Sequence, residues 1–137
     1  MSNFVTMKSV AFIVFLLLMV LGSCQRQDNA ITGGGKGGSA VLSIIPEHSN
    51  LYVDSCMIYI KYGTLDAPAA GVSYDDSAWV RMVDTLPIAT FRGLTKGLYY
   101  MYAQGYHVIY SSKVKGGLNW TVSKQDSETV FVPTFSY

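Results

Sequence analysis

The sequence predicts an all-β domain, folded as a seven-stranded antiparallel β-sandwich. From residue 39 onward, apolar and polar residues alternate in short runs, which is the period of a β-strand. Turn-forming residues separate the runs, and no run carries the apolar stripe of an amphipathic helix. About seven short strands in roughly 100 residues are typical of a sandwich. The predicted strands span residues 39–45, 56–62, 78–83, 88–91, 98–107, 118–122 and 129–135.

Residues 1–23 are predicted to be a signal peptide with a helical apolar centre. Lys8 precedes an unbroken apolar run from Val10 to Leu21, and small residues follow it. Twelve residues at about 1.5 Å each are too short for a bilayer core of roughly 30 Å. A positive flank, a short apolar run and small residues are the features of a secretory signal.

The last residues of this segment carry a more specific motif. Leu21, Gly22, Ser23 and Cys24 resemble the lipobox of bacterial lipoproteins, which is an aliphatic residue, two small residues and a cysteine. The resemblance implies cleavage before Cys24 and covalent lipidation of that cysteine, with no other cofactor. Two or three acyl chains anchor a protein stably in a membrane. Gln25 follows instead of Asp, which by the family's rules favours the outer membrane, with the side that the domain faces left open.

Residues 24–38 are predicted to be a lipidated cysteine followed by a flexible, glycine-rich tether, and residues 39–137 to be the sandwich domain. The segment "GGGKGG" is no phosphate-binding loop, because Lys36 is followed by Gly37 and not by Ser or Thr. Once Cys24 is lipidated, Cys56 is the one remaining thiol. Its apolar surroundings predict that it is buried and unreactive.

Leu94, Gly97 and Tyr99 have the spacing of a tyrosine corner, in which a tyrosine ring folds inward and its hydroxyl bonds to backbone a few residues upstream. The wider spacing resembles that of the transthyretin-like sandwiches, a group that includes the carboxypeptidase regulatory-like domains and is related in architecture to the immunoglobulin-like fold. The matching residues are Phe91, Leu94, Gly97, Tyr99, Gly105 and Tyr106. This likeness implies a fold and no particular activity. It also implies that the strands 56–62 and 98–107 are neighbours.

An inward Tyr99 places Met101 and Ala103 on the same inner face, because side chains alternate along a strand. The opposite face then carries a candidate binding surface of four tyrosines, namely Tyr59, Tyr100, Tyr102 and Tyr106. Amphipathic rings are favoured at protein and glycan interfaces. Cross-strand packing of rings on a sheet surface is the alternative explanation.

The composition gives little support to other classes of function. Ten basic and nine acidic residues leave no basic patch for nucleic acid. His48 and His107 are far apart in sequence, and no nucleophile motif or zinc-ligand spacing accompanies them, so no catalytic or metal-binding residue is predicted. The loop of residues 64–77 leaves calcium binding open through three carboxylates, and two degenerate triplets leave O-glycosylation open. The residues concerned are Asp66, Asp75 and Asp76 for calcium and Ser77 and Thr85 for glycosylation.

These observations favour a membrane-anchored envelope lipoprotein that acts as a non-catalytic binding module for a protein or a glycan. The alternative is a structural accessory subunit of an outer-membrane assembly, because the last strand reaches an edge that accepts a partner strand. A hydrolase or a metal-dependent enzyme ranks third. The oligomeric state is left open.

Overall fold

A computed structural model describes residues 30–137. The predicted signal peptide, the lipobox with Cys24 and the first part of the tether lie outside the described residues. Among residues 30–137, no helix is long and apolar enough to cross a membrane.

The described chain forms two sheets of five strands each. Sheet I contains β1 (Lys36–His48), β2 (Leu51–Tyr52), β5 (Arg81–Val83), β6 (Leu86–Leu94) and β9 (Ser127–Pro133). Sheet II contains β3 (Ser55–Tyr62), β4 (Asp76–Trp79), β7 (Gly97–His107), β8 (Ser112–Val122) and β10 (Phe135–Ser136). In sheet II the strand order is β10–β8–β7–β3–β4, so the two strands predicted to be neighbours, β3 and β7, are paired over the whole length of β3.

The prediction of an all-β fold is confirmed, but residues 30–137 form ten strands where seven were predicted. The single strand predicted at 78–83 is two strands in different sheets. They are separated at the buried Val80, whose N–H donates to the carbonyl oxygen of Cys56. The last predicted strand also divides, at Thr134, where the chain passes from sheet I to sheet II. Val80 and Thr134 are both buried, as inward strand residues are, so alternation by itself does not reveal either crossing.

The prediction that every strand pair is antiparallel is wrong for one pair. Strand β9 runs parallel to β1, from Val41 opposite Ser127 to Glu47 opposite Pro133. The first and last long strands of the described chain therefore lie side by side, and Thr134 fixes the end of β9 by donating its N–H and its hydroxyl to the carbonyl oxygen of Glu47.

The core lies between the sheets and consists of the inward side chains of both. Cys56, Met101 and Ala103 are fully buried, as alternation predicted. Burial raises the pKa of the Cys56 thiol to about 12, which keeps it protonated and unreactive at neutral pH. The largest buried apolar side chains are Leu42, Ile44, Ile45, Ile58, Ile60, Phe91, Leu94, Tyr99 and Met101.

The glycine-rich segment was predicted to be a flexible tether up to residue 38, but its last residues are bonded to the sandwich. The carbonyl oxygen of Gly33 accepts from the Leu98 N–H at 2.6 Å, and that of Gly35 accepts from the Thr95 N–H at 2.9 Å. Strand β1 already begins at Lys36. The last part of the predicted tether is therefore hydrogen-bonded to the sandwich, because glycine lets the backbone approach closely enough to bond to the β6–β7 turn.

Candidate binding face

The Tyr99 hydroxyl joins the start of β7 to the N-terminal segment. It donates to the Thr95 carbonyl oxygen, four residues upstream, at 2.7 Å, and the Gly35 carbonyl oxygen is a second acceptor at 3.1 Å. The hydroxyl oxygen also accepts from the Gly35 N–H at 2.9 Å. The bond to Thr95 is the one that defines a tyrosine corner. Leu94 is fully buried beside it, and Gly97 lies against the backbone of Gly33 and Gly34, where a Cβ atom would collide.

Three tyrosine rings meet on the outer face of sheet II. Tyr59 on β3 lies opposite Tyr102 on β7, with ring centroids 6.3 Å apart. Tyr74, from the loop between β3 and β4, stacks on Tyr102 at 5.9 Å with an interplanar angle of 14° and lies 5.4 Å from Tyr59. We term these three residues the tyrosine cluster. Burial, followed by neighbouring tyrosine hydroxyls, raises the pKa values of Tyr74 and Tyr102.

The sequence reasoning missed Tyr74. The loop of residues 64–77 was considered only as a possible calcium site, whereas its Tyr74 lies on the outer face of the sheet. A tyrosine just before a strand that pairs with the tyrosine-bearing β3 is a signal that was present in the sequence.

The loop is held in this position by two carboxylates. Asp75 accepts from the Lys61 ammonium group at 2.9 Å and from the Tyr62 N–H at 2.7 Å. Asp76 lies 3.1 Å from the Lys36 ammonium group and accepts from the Ser77 N–H at 2.8 Å. These donors engage two of the three carboxylates that the calcium hypothesis named, Asp75 and Asp76. Among residues 30–137, no three His, Cys, Asp or Glu side chains lie close enough to hold a metal ion together.

Both carboxylates have pKa values below their ordinary range. For Asp75 the chief cause is the hydrogen bond from the Tyr62 N–H, which outweighs partial burial, and Lys61 adds to it. For Asp76, burial opposes ionisation, but the hydrogen bonds from Lys36 and Ser77 more than offset it. The ionised form of each group is therefore the form that stabilises the loop.

Replacement of Asp75 with Asn is expected to make stability less sensitive to acid. A carboxyl whose pKa is depressed by folding stabilises the protein above its unfolded pKa of about 3.9, and this contribution is lost as the pH falls through the lower folded pKa. Unfolding by denaturant should show the wild type losing stability below about pH 4, and the D75N variant losing less.

The matched control is D66N, because within residues 30–137 no hydrogen bond reaches the Asp66 carboxylate. Its stability profile with pH should follow that of the wild type. An identical acid dependence of D75N and wild type would contradict the assignment of Asp75 as the residue that fastens the loop.

The other two predicted face residues occupy different positions. Tyr100 lies opposite Lys61 and Asn119 and extends over Gly117, where a Cβ atom would collide with its hydroxyl. Tyr106 lies near the far end of β7, opposite Ser55, and is exposed. The structure therefore brings Tyr59 and Tyr102 into one cluster, places Tyr100 beside it and leaves Tyr106 outside it.

An open groove of about 450 Å³ runs beside the tyrosine cluster. Its lining combines ring faces with hydroxyl and carboxylate groups, from Tyr59, Ser73, Tyr74, Asp75, Asp76 and Ser77. A ring face offers apolar contact, while hydroxyls and carboxylates accept hydrogen bonds, so the groove suits a ligand that presents both apolar and hydroxyl or amide surface.

The two histidines, which were treated as isolated in the sequence, lie together at the other end of the molecule. Their ring centroids are 5.4 Å apart, and Tyr110 packs on both. His48 Nδ1 bonds to the Thr134 carbonyl oxygen at 2.8 Å, and His48 Nε2 lies 3.3 Å from the Ser136 hydroxyl. The partner of His48 Nδ1 is therefore a backbone carbonyl, whereas in a hydrolase triad the corresponding nitrogen bonds to a carboxylate.

Ser77 and Thr85, the candidate glycosylation residues, are both exposed.

Comparison of the chain with protein-family models, with curated proteins and with solved structures found no match.

Proposed function

We propose that this chain is a bacterial envelope lipoprotein whose transthyretin-like sandwich is a non-catalytic binding module. Cys24 carries the lipid, the outer membrane is the location, and the tyrosine cluster with its groove contacts a protein or a glycan. The observation that carries the binding role is the stacking of Tyr74 on Tyr102 beside an open groove. Aromatic residues are enriched where proteins recognise partners, because rigid rings bury a large area at little entropic cost.

The test removes two rings of the cluster. A chain with Tyr74→Ala and Tyr102→Ala is expected to lose binding by at least about tenfold, since Tyr74 lines the groove and Tyr102 is the ring on which it stacks. The full chain in detergent is applied to a glycan array and, separately, is crosslinked to envelope proteins in native membranes. The two arms distinguish a glycan from a protein partner.

The matched control is Phe131→Ala, which removes an exposed aromatic ring of the other sheet. It should bind as the wild type does. Thermal unfolding of all three chains separates lost contacts from lost folding. Unchanged binding by a folded Y74A/Y102A chain would assign the cluster to cross-strand packing alone.

A second candidate, an accessory subunit of an outer-membrane assembly, is favoured by the short β10. This strand pairs with β8 only at Val114 and Lys115, and among residues 30–137 no strand pairs with the same edge of β8 from Gly116 to Val122. An open edge accepts a partner strand. Recovery of monomer alone after crosslinking in native membranes would contradict this second role.

A further inference from the structure

An exposed apolar patch lies at the end of the sandwich formed by the β7–β8 turn. Its side chains come from three separate segments and are 46–72% exposed: Tyr52, Met82, Val108 and Ile109. We term these four residues the distal patch. Single exposed apolar residues are ordinary, whereas exposed apolar groups that lie together are the kind of surface that partners cover.

The recess at the centre of the distal patch has a volume of about 190 Å³. Asp54, Thr85, Pro87 and His107 complete its lining. Pockets for drug-sized ligands are roughly 300–1,000 Å³, so this recess is too small for such a ligand. It matches a single apolar side chain inserted from a larger partner.

Two polar groups of the recess have no partner within residues 30–137. Asp54 is the one charged residue in the lining, and no hydrogen bond or ion pair from the described chain reaches its carboxylate. His107 is 2% exposed, and its Nδ1 accepts from the Tyr110 N–H at 3.2 Å, so the neutral ring carries its proton on Nε2. That Nε2 is buried with no acceptor in the described chain, and an unpaired buried donor is unfavourable.

The distal patch lies far from the point where the N-terminal segment joins the sandwich. Gly33 bonds to Leu98 at the beginning of β7, whereas Val108 and Ile109 follow the end of the same strand. Eleven residues at about 3.3 Å each separate the two ends by roughly 35 Å. A chain tethered through its N-terminal segment therefore presents this patch at its opposite end.

We propose that the distal patch docks a protein segment that inserts one apolar side chain into the recess and sets a neighbouring Lys or Arg against Asp54. The negative charge of Asp54 selects a basic partner residue. A surface of anionic lipid is attracted by clustered basic residues, and the lining of this recess contains none. The patch is distinct from the tyrosine cluster, which lies on the outer face of sheet II, so this inference goes beyond the function proposed above.

The test is a selection of random peptides on the immobilised full chain in detergent. Enriched peptides are expected to carry an apolar residue close to a Lys or Arg. Val108→Ser with Ile109→Ser should weaken binding of the selected peptides at least about tenfold, and Asp54→Asn should remove the preference for the basic residue. The matched control is Val72→Ser, an equally apolar and 49% exposed site in the β3–β4 loop, which should bind as the wild type.

The possible outcomes distinguish a protein segment from an anionic lipid surface and from a second copy of this chain as the partner of the distal patch. Selection of no such peptide class, or equal binding by the V108S/I109S chain, overturns the proposal. So does binding of anionic vesicles that depends on Val108 and Ile109, or self-association of the wild type that this variant abolishes. The Y74A/Y102A chain should retain the selected peptides, so failure of the tyrosine cluster and failure of the distal patch are told apart.

Discussion

Tyr99→Phe is expected to lower the free energy of unfolding by about 1–3 kcal/mol, although it removes a single oxygen atom. That oxygen bonds to Thr95 and to both backbone groups of Gly35. Its loss takes this partner from the half-buried Thr95 carbonyl and Gly35 N–H, while the Gly35 carbonyl keeps the Thr95 N–H, and leaving polar groups unpaired is the costly way to remove a hydrogen bond. Denaturant unfolding measures the change, and hydrogen exchange of residues 33–36 should show this segment released from the sandwich.

Tyr52→Phe is the matched control, because Tyr52 is exposed and no hydrogen bond within the described residues involves its hydroxyl. It should leave stability within about 0.5 kcal/mol of the wild type. Gly97→Ala tests the same junction from its other side, since the added Cβ meets the backbone of Gly33 and Gly34. If Y99F retained full stability and full protection of residues 33–36, the corner would not be what holds this segment.

Cys24→Ser is expected to abolish membrane attachment of the chain. The proposed lipid is carried by the cysteine sulfur, and a serine hydroxyl does not replace it in the lipoprotein pathway that the lipobox implies. The variant should therefore be released from the membrane fraction or retained uncleaved, with its signal peptide still present. Cell fractionation and the mass of the mature chain measure both results.

Cys56→Ser is the matched control, because it changes the other cysteine of the chain at a buried core position. It should cost some stability and leave attachment intact. Membrane attachment that survived in C24S would contradict the lipobox assignment. Protease treatment of intact cells carrying the wild type then shows whether the sandwich faces the periplasm or the medium.

The sequence was informative wherever the determining interactions are local. Alternation along β3 and β7 was enough to predict that Cys56, Met101 and Ala103 point inward, since the pleat sends neighbouring residues to opposite faces. The spacing from Leu94 to Tyr99 predicted a corner from residues close together in the chain, and the hydrogen bond from the Tyr99 hydroxyl to Thr95 spans only four residues.

The sequence was misleading where a prediction was based on composition and the tertiary contacts could not be known. Residues 33–38 are glycine-rich and were predicted to be flexible, yet glycine also permits the close backbone approach seen between Gly34 and Gly97. The loop of residues 64–77 was considered for calcium because it is acidic, but Asp75 and Asp76 are engaged by Lys61 and Lys36. Whether a glycine is flexible or closely packed, and whether an aspartate binds a metal ion or a lysine, depends on the residues that the fold places beside it.

By itself, the sequence determined the all-β class, the inward and outward faces of the central strands, and the motif around Cys24 on which the proposed lipid anchor rests. Only the tertiary structure decided that Tyr74 completes the tyrosine cluster, that His48 meets His107, that β9 runs parallel to β1 and that four apolar side chains converge on one recess. The physical reason is the separation along the chain of the residues that interact. Strand periodicity and turn chemistry act between residues a few positions apart, whereas these four features join segments distant in the chain, whose meeting depends on how the two sheets pack.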